Sequence, residues 1–143
     1  MKESKRKCLV MSEVLYVDAC CCHQADKFSW GIVGENISKG GSIERQGINS
    51  GYSELYATYQ ALLCTKDNVQ TTIFTDSAFV VNILNSSREK FEWKMSHKNY
   101  HINKDFIRNV YNVYQKLDNV LVMKIHRSDN IVADKLARSF KDW

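Results

Sequence analysis

The fold is decided first by the stretch Val14-Leu15-Tyr16-Val17-Asp18, a short run of strand-forming residues that ends on a carboxylate. Its β-branched and aromatic side chains predict a strand that runs directly into Asp18. A second strand is predicted over residues 28–37 and a third over residues 42–48, with Gly40-Gly41 as the hairpin turn between them. The chain is therefore expected to open with three consecutive antiparallel strands.

The remainder of the chain alternates between helical and strand patterns. Apolar residues at helical spacing predict a helix over residues 53–63, entered through residues 49–51 or capped by Ser53, with Glu54 in its first turn. The later elements are predicted as a strand over 69–75 that ends at Asp76, helices over 77–84, 105–117 and 130–140, a loop over 85–90 and a last strand over 120–125. Strands that alternate with helices after an antiparallel start indicate a mixed α/β fold.

Length and composition describe one globular domain. A length of 143 residues, 44% hydrophobic and 25% charged, is typical of one domain and excludes a multidomain protein. The absence of proline excludes a Pro-rich linker and a collagen-like repeat. We expect a single domain over residues 1–143, with residues 1–12 as a basic N-terminal tail. The net charge of +4 is compatible with a polyanionic partner but does not require one.

We expect neither an export signal nor a membrane anchor in this sequence. Ser12 and Glu13 interrupt the apolar run that follows the basic N-terminus, and no stretch approaches the roughly 18 apolar residues of a spanning helix. The protein is therefore expected in the cytoplasm, with its five cysteines as reduced thiols. The cluster Cys20-Cys21-Cys22-His23 lacks the spacing that lets thiolates converge on one zinc ion, so a buried-thiol or loop role is favoured.

Four acidic residues stand at the ends of the predicted elements. Asp18 closes the first strand, Glu54 opens the first helix, Asp76 closes the fourth strand and Asp134 lies on the last helix. Because the carboxyl ends of parallel strands converge on one rim, these carboxylates are expected to meet there. Their repulsion calls for a cation, and oxygen ligands select Mg²⁺ or Mn²⁺ over zinc. A pair of such ions about 4 Å apart activates a water for in-line attack on a phosphodiester.

At these positions the sequence resembles, in order, the four motifs of the type I ribonuclease H family. The stretches that carry the resemblance are Leu15-Tyr16-Val17-Asp18-Ala19, Ser53-Glu54-Leu55-Tyr56-Ala57-Thr58-Tyr59-Gln60-Ala61-Leu62, Thr75-Asp76-Ser77-Ala78-Phe79-Val80 and Asn130-Ile131-Val132-Ala133-Asp134-Lys135-Leu136-Ala137-Arg138. Four motifs in order, on the expected elements and covering nearly the whole chain, form a specific signal.

The resemblance implies a ribonuclease H-like fold, a five-stranded mixed sheet with flanking helices in the order β-β-β-α-β-α-β-α. It implies hydrolysis of the RNA strand of an RNA/DNA hybrid, with 5′-phosphate and 3′-hydroxyl products and two Mg²⁺ ions, or Mn²⁺, at each site. In this assignment Asp18 bridges both ions, Glu54 and Asp76 complete the ligand set, and Asp134 binds the ion that activates the water. The hybrid is then the partner; no protein partner is implied, and we expect a monomer.

A histidine before the last motif is a further feature of the family. His126 is the candidate here, although it lies closer to Asp134 than the family's histidine, whose position is occupied by Lys124. His126 is therefore interpreted either as the residue that shuttles a proton or helps the product leave, or as an exposed loop histidine.

Contacts to the hybrid are assigned from the same resemblance. The residues assigned are Ala19, Cys20, Ser77 and Asn130, of which Asn130 also suits the cap of the last helix. Ala19 and Cys20 stand where the family commonly has glycine and a small polar residue. Residues 85–99 are too few for the basic, tryptophan-rich insertion of some relatives, so hybrid affinity would depend on scattered Lys and Arg.

Three alternatives remain open at the level of sequence. The same fold carries nucleases for branched or duplex DNA, because a fold does not decide function. The chain is alternatively an inactive hybrid-binding or interaction module, which the four carboxylates disfavour, since such a module has no need to tolerate their repulsion. It is alternatively the detached C-terminal domain of a reverse transcriptase, although its start methionine and its end at Trp143 favour independence.

Overall fold

A five-stranded mixed sheet forms the centre of the fold in a computed structural model that describes residues 11–100 and 103–143. Its strands are β1 (Met11–Cys22), β2 (Lys27–Gly34), β3 (Ser38–Glu44), β4 (Val69–Thr75) and β5 (Val120–Lys124). They lie side by side in the order β3-β2-β1-β4-β5. The first three are antiparallel, and β4 and β5 run parallel to β1. The predicted mixed α/β fold with a five-stranded mixed sheet is confirmed.

Helices cover both faces of this sheet. They are α1 (Ser50–Leu63), α2 (Ala78–Leu84), α3 (Arg88–His97), α4 (Lys104–Lys116) and α5 (Ile131–Ser139), with a short 3-10 helix at Arg127–Asp129. Helices α1, α2 and α4 pack against one another and enclose the main core with the sheet, whereas α5 packs on β1 and β2. Among the helices of the described residues, none is long and apolar enough to cross a membrane.

The turn between β2 and β3 is not where the sequence places it. Gly40 and Gly41 lie inside β3, opposite Gly31 and Trp30 of β2. The chain reverses over residues 35–37 instead, so β2 ends and β3 begins earlier than predicted. The glycine at position 40 serves close packing: a Cβ there would lie 2.6 Å from the Phe140 ring. The prediction was wrong because a tertiary requirement for glycine resembles a turn signal.

Helix α1 begins earlier than its apolar pattern suggests. The Asn49 side chain accepts from the backbone N–H of Tyr52 over 2.8 Å and caps the helix, which starts at Ser50. The predicted helix entrance at residues 49–51 is thus confirmed, whereas Ser53 is not the cap: it is buried inside the helix, where its hydroxyl donates to the Ser50 carbonyl. Glu54 consequently lies in the second turn, not the first, so its carboxylate does not serve as a first-turn charge at the helix N-terminus.

Two further boundaries differ from the predictions. Helix α3 begins at Arg88, inside the predicted loop over residues 85–90. The helix is strongly polar and, of its residues, buries only Phe91 and Met95, so its sequence shows little of the apolar periodicity that predicts a helix. Met11 and Ser12, assigned to the N-terminal tail, belong to β1, while residues 1–10 of that tail lie outside the described residues.

Candidate active site

The site begins at Asp18, in the interior of β1. The parallel pairing of β1 with β4 ends at Tyr16 and Phe74, but the antiparallel pairing with β2 continues as far as Cys22. The sequence predicted that Asp18 closes its strand, and this was wrong. The strand continues beyond Asp18 because it stays paired with β2 as far as Cys22. The carboxylate lies where β4 has already left β1, at the carboxyl end of the parallel strands.

Two other carboxylates converge on Asp18 from different elements. Asp76 follows β4 directly, before Ser77 caps α2, and Glu54 extends from the second turn of α1. One oxygen from each of Asp18, Glu54 and Asp76 lies within 4.8 Å of the others. Three of the four predicted carboxylates are thus brought together by a strand, a helix and a strand end that are far apart in sequence.

Burial and mutual repulsion alter the ionisation of this group. Asp18 is 5% exposed, and its burial together with the charge of Asp76 raises its pKa to about 7, although the Ala19 N–H donates to it over 2.9 Å. Burial and the charges of Asp18 and Asp76 raise the pKa of Glu54 well above its ordinary value. Without a counter-charge, one or more of these carboxyls retains a proton near neutral pH.

The donor set fits a hard divalent cation. All three groups offer carboxylate oxygens, the ligands that Mg²⁺ and Mn²⁺ prefer. Glu54 Oε2 is buried and has no hydrogen-bond partner among the described residues. A buried carboxylate oxygen without a donor is unfavourable, and a cation beside it would remove that cost and the repulsion together.

Asp134 stands at the edge of this group. It lies in the first turn of α5 and is close enough to Asp18 to contribute to that residue's raised pKa, but it does not belong to the group of three. Its two oxygens each lie 3.1 Å from Nε of Arg138, one helical turn later. The hydrogen bond to Asp134, and then the charge of that carboxylate, raise the pKa of Arg138. The sequence analysis did not identify this pair, although an Asp–Arg spacing of four residues on a helix signals it.

Comparison with known proteins accords with this geometry. A family model described as RNase H matches residues 11–141. The chain belongs to the RNase H family. It is also similar to a protein named ribonuclease H from Caldicellulosiruptor saccharolyticus, with 28% identity over 136 residues that cover 88% of this chain and 93% of that protein. Ribonuclease activity is supported at the level of the family.

His126 lies on the same sheet edge as the carboxylates of this RNase H chain. It follows β5, whose Lys124 is paired with Thr75, the residue before Asp76. The His126 ring is exposed; its Nδ1 lies 2.8 Å from Ser128 Oγ and accepts from the Ser128 N–H over 3.3 Å. In this arrangement His126 caps the 3-10 helix, and its role in turnover stays a prediction.

The four residues assigned to hybrid binding occupy different environments in this RNase H chain. The Ala19 N–H already donates to Asp18, and the Ser77 hydroxyl caps α2 by accepting from the Val80 N–H over 3.2 Å. Cys20 continues β1 as a half-buried residue, as do Cys21 and Cys22, so this cluster forms strand rather than loop.

The prediction that Asn130 contacts the hybrid was wrong. It is 1% exposed, and its side chain donates to the carbonyl of Val17 over 2.8 Å, so it offers no surface to a substrate. It does occupy the N-cap position of α5, but its side chain makes no capping hydrogen bond. Sequence reasoning missed this contact because it joins residues 113 positions apart.

Proposed function

We propose that this protein is an endoribonuclease that hydrolyses the RNA strand of RNA/DNA hybrids with the help of two divalent ions. The observation that carries the proposal is the convergence of Asp18, Glu54 and Asp76 within 4.8 Å, two of them with raised pKa values, in a chain of the RNase H family. Such a group is costly unless it binds a cation.

Each of the four acidic side chains would bind the ions in a different way. Asp18, central to the group, would contact both ions, with Glu54 and Asp76 completing the set. Asp134, offset from the three, would hold the ion on the side of the attacking water. When bound, the ions lower the pKa of the attacking water and stabilise the leaving oxygen. Mg²⁺ is the expected ion and Mn²⁺ an alternative.

The reaction is a single in-line displacement at phosphorus. The water oxygen forms a bond to phosphorus as the bond to the 3′ oxygen breaks, so the products carry a 5′-phosphate and a 3′-hydroxyl. One water proton must leave and one proton must reach the 3′ oxygen. His126, exposed on the same edge, is the residue we assign to proton movement or product release.

A cleavage assay on matched substrates tests the proposal. End-labelled RNA/DNA hybrid, duplex RNA, duplex DNA and branched DNA are incubated with the protein in Mg²⁺, in Mn²⁺ and in EDTA. We expect metal-dependent cleavage of the RNA strand of the hybrid alone. Cleavage of branched or duplex DNA would assign another substrate class, and binding of hybrid without any cleavage would indicate an inactive module.

Two variants test the site itself. Asp18→Asn and Asp76→Asn are each expected to abolish cleavage while the protein stays folded and still binds hybrid, because each removes a ligand charge and leaves the shape unchanged. The matched control is Asp67→Asn, an exposed residue before β4 at the far end of the sheet, which should keep full activity. Retained Mg²⁺-dependent cleavage in either site variant would contradict the assignment.

A further inference from the structure

The buried side chain of Asn130 bonds to β1 next to the site. Its Nδ2 donates to the carbonyl of Val17, which belongs to the peptide unit that leads into Asp18. Val17 is also the first residue of β1 beyond the last pair of the β1–β4 ladder, Tyr16 with Phe74. Asn130 therefore binds β1 at the point where β4 no longer pairs with it.

The backbone of the same residue bonds to the element that carries Asp134. The Asp134 N–H donates to the Asn130 carbonyl over 3.1 Å, at the start of α5. Asn130 thus connects two carboxylate-bearing elements: its side chain bonds next to Asp18 and its main chain bonds to Asp134. Within a buried environment, this pair of bonds restricts how far α5 can move relative to β1.

The Asn130 side chain is only partly satisfied by this bond. Asn130 Oδ1 is buried and has no hydrogen-bond partner among the described residues. The Val17 carbonyl needs a donor, and in the Asn130 side chain only Nδ2 can donate. The amide group therefore cannot rotate to bring Oδ1 to a partner without breaking this hydrogen bond. A buried unpartnered acceptor is unfavourable, which argues that this amide serves geometry more than stability.

We propose that Asn130 is a positioning residue that sets the separation of Asp18 and Asp134, so that both carboxylates act on ions held at one site. The inference rests on the proposed function. Asn130 acts through the two carboxylates and makes no contact with the substrate, which separates this role from the hybrid contact that the sequence suggested.

The experiment compares Asn130→Ala and Asn130→Ser with Asn119→Ala. Asn130→Ser is included in case Asn130→Ala impairs folding, because serine suits the N-cap position and keeps the start of α5. The serine side chain is too short to reach the Val17 carbonyl, so both variants remove the same hydrogen bond. Asn119 is a matched control: it is 5% exposed, and its Nδ2 donates to the carbonyls of Lys66 and Val69 at the opposite end of the sheet. Each protein is assayed for hybrid cleavage and titrated calorimetrically with Mg²⁺ and with Mn²⁺ in the absence of hybrid.

For both Asn130 variants we expect kcat to fall about 10- to 100-fold and the affinity for divalent ions to weaken about 10-fold, with KM for the hybrid unchanged. Asn119→Ala should lower the melting temperature and leave kcat and ion affinity as in the parent protein. Unchanged kcat and ion affinity in a folded Asn130 variant, whatever its melting temperature, would overturn the proposal.

The two proposals fail separately. If the parent protein cleaves no hybrid, the proposed function is wrong, yet the ion titrations still decide the role of Asn130. Weaker ion binding in Asn130→Ser than in Asn119→Ala would then support positioning, and equal binding would overturn it.

Discussion

At the scale of single residues, Asp18 combines burial with the charges of neighbouring carboxylates. It is nearly fully buried, next to two other carboxylates and hydrogen-bonded to the Ala19 N–H. Burial and the charge of Asp76 outweigh that hydrogen bond, which is why its pKa is raised to about 7. The folded protein without a divalent ion therefore carries a residue that is costly to ionise.

The stability of the metal-free protein should depend on this residue. The ordinary pKa of 3.8 applies to the unfolded chain, so between that value and about 7 the unfolded state loses its proton first. The free energy of unfolding consequently falls as pH rises through this window, and the cost is complete above it. We expect Asp18→Asn to stabilise the metal-free protein at pH 8 by on the order of 2 kcal/mol and to flatten this part of the pH profile.

Urea unfolding in EDTA at pH 5, 6, 7 and 8 measures the effect, with Asp67→Asn as the control for loss of an exposed carboxylate. Added Mg²⁺ should stabilise the parent protein and not Asp18→Asn, because ligands that bind the native state stabilise it. An Asp18→Asn protein that is less stable than the parent at pH 8 in EDTA would show that the carboxylate is not a source of repulsion.

At the scale of elements, the site depends on how closely α5 approaches the sheet. Glycines on β2 and β3 permit that approach: a Cβ on Gly31 would lie 2.9 Å from the Ala137 nitrogen, and one on Gly40 would meet the Trp30 carbonyl and the Phe140 ring. Because α5 carries Asp134, glycines such as Gly40, which gives the misleading turn signal in the sequence, also help to determine where that carboxylate stands.

Gly40→Ala should therefore destabilise the protein more than Gly41→Ala. At position 41 the new Cβ would lie 3.3 Å from Trp30 Nε1, a side-chain atom that can move, whereas at position 40 it meets backbone. We expect a loss of about 1–3 kcal/mol for Gly40→Ala, and less for Gly41→Ala. Paired urea denaturation curves measure this difference, and equal losses would mean that the backbone contact at position 40 is no more restrictive than the side-chain contact at position 41.

At the scale of the whole molecule, the modest net charge of +4 would limit how tightly the proposed hybrid substrate binds. Helix α3, which the sequence did not predict, carries Arg88, Lys90 and Lys94, and Lys98 follows it. Lys94 is partly engaged, since its Nζ donates to Ser86 Oγ over 2.8 Å. Phosphate contacts through a few such cations would release counterions, so affinity should depend on salt.

If about four phosphates are contacted, hybrid affinity should fall about 10²-fold between 50 and 200 mM salt. Fluorescence anisotropy with the Asp76→Asn protein and a labelled hybrid measures binding without cleavage, and an equal length of single-stranded RNA serves as the control ligand. A nearly flat salt dependence would indicate that the hybrid is held mainly by contacts other than phosphates.

Much of the fold was accessible from local patterns. The strand at Val69–Thr75 has the predicted bounds, because its alternating buried residues match a half-buried strand. The mixed α/β class and the RNase H family followed from element order and four short motifs. The failures have separate causes. At Gly40-Gly41 glycines needed for close packing resemble a turn, at the start of α1 a polar cap lies ahead of the apolar pattern, and over α3 the helix buries too few residues to produce a periodic signal.

The sequence by itself determined all five strands and every α-helix except α3, which carboxylates end near one rim and which family the chain belongs to, because these depend on local preference and residue order. Tertiary structure alone decided that Asp18 lies inside a strand, that Asp134 stands beside the group of three and not within it, and that Asn130 is buried against Val17. Those outcomes depend on which distant backbone groups come within hydrogen-bond distance, and no local pattern encodes that separation.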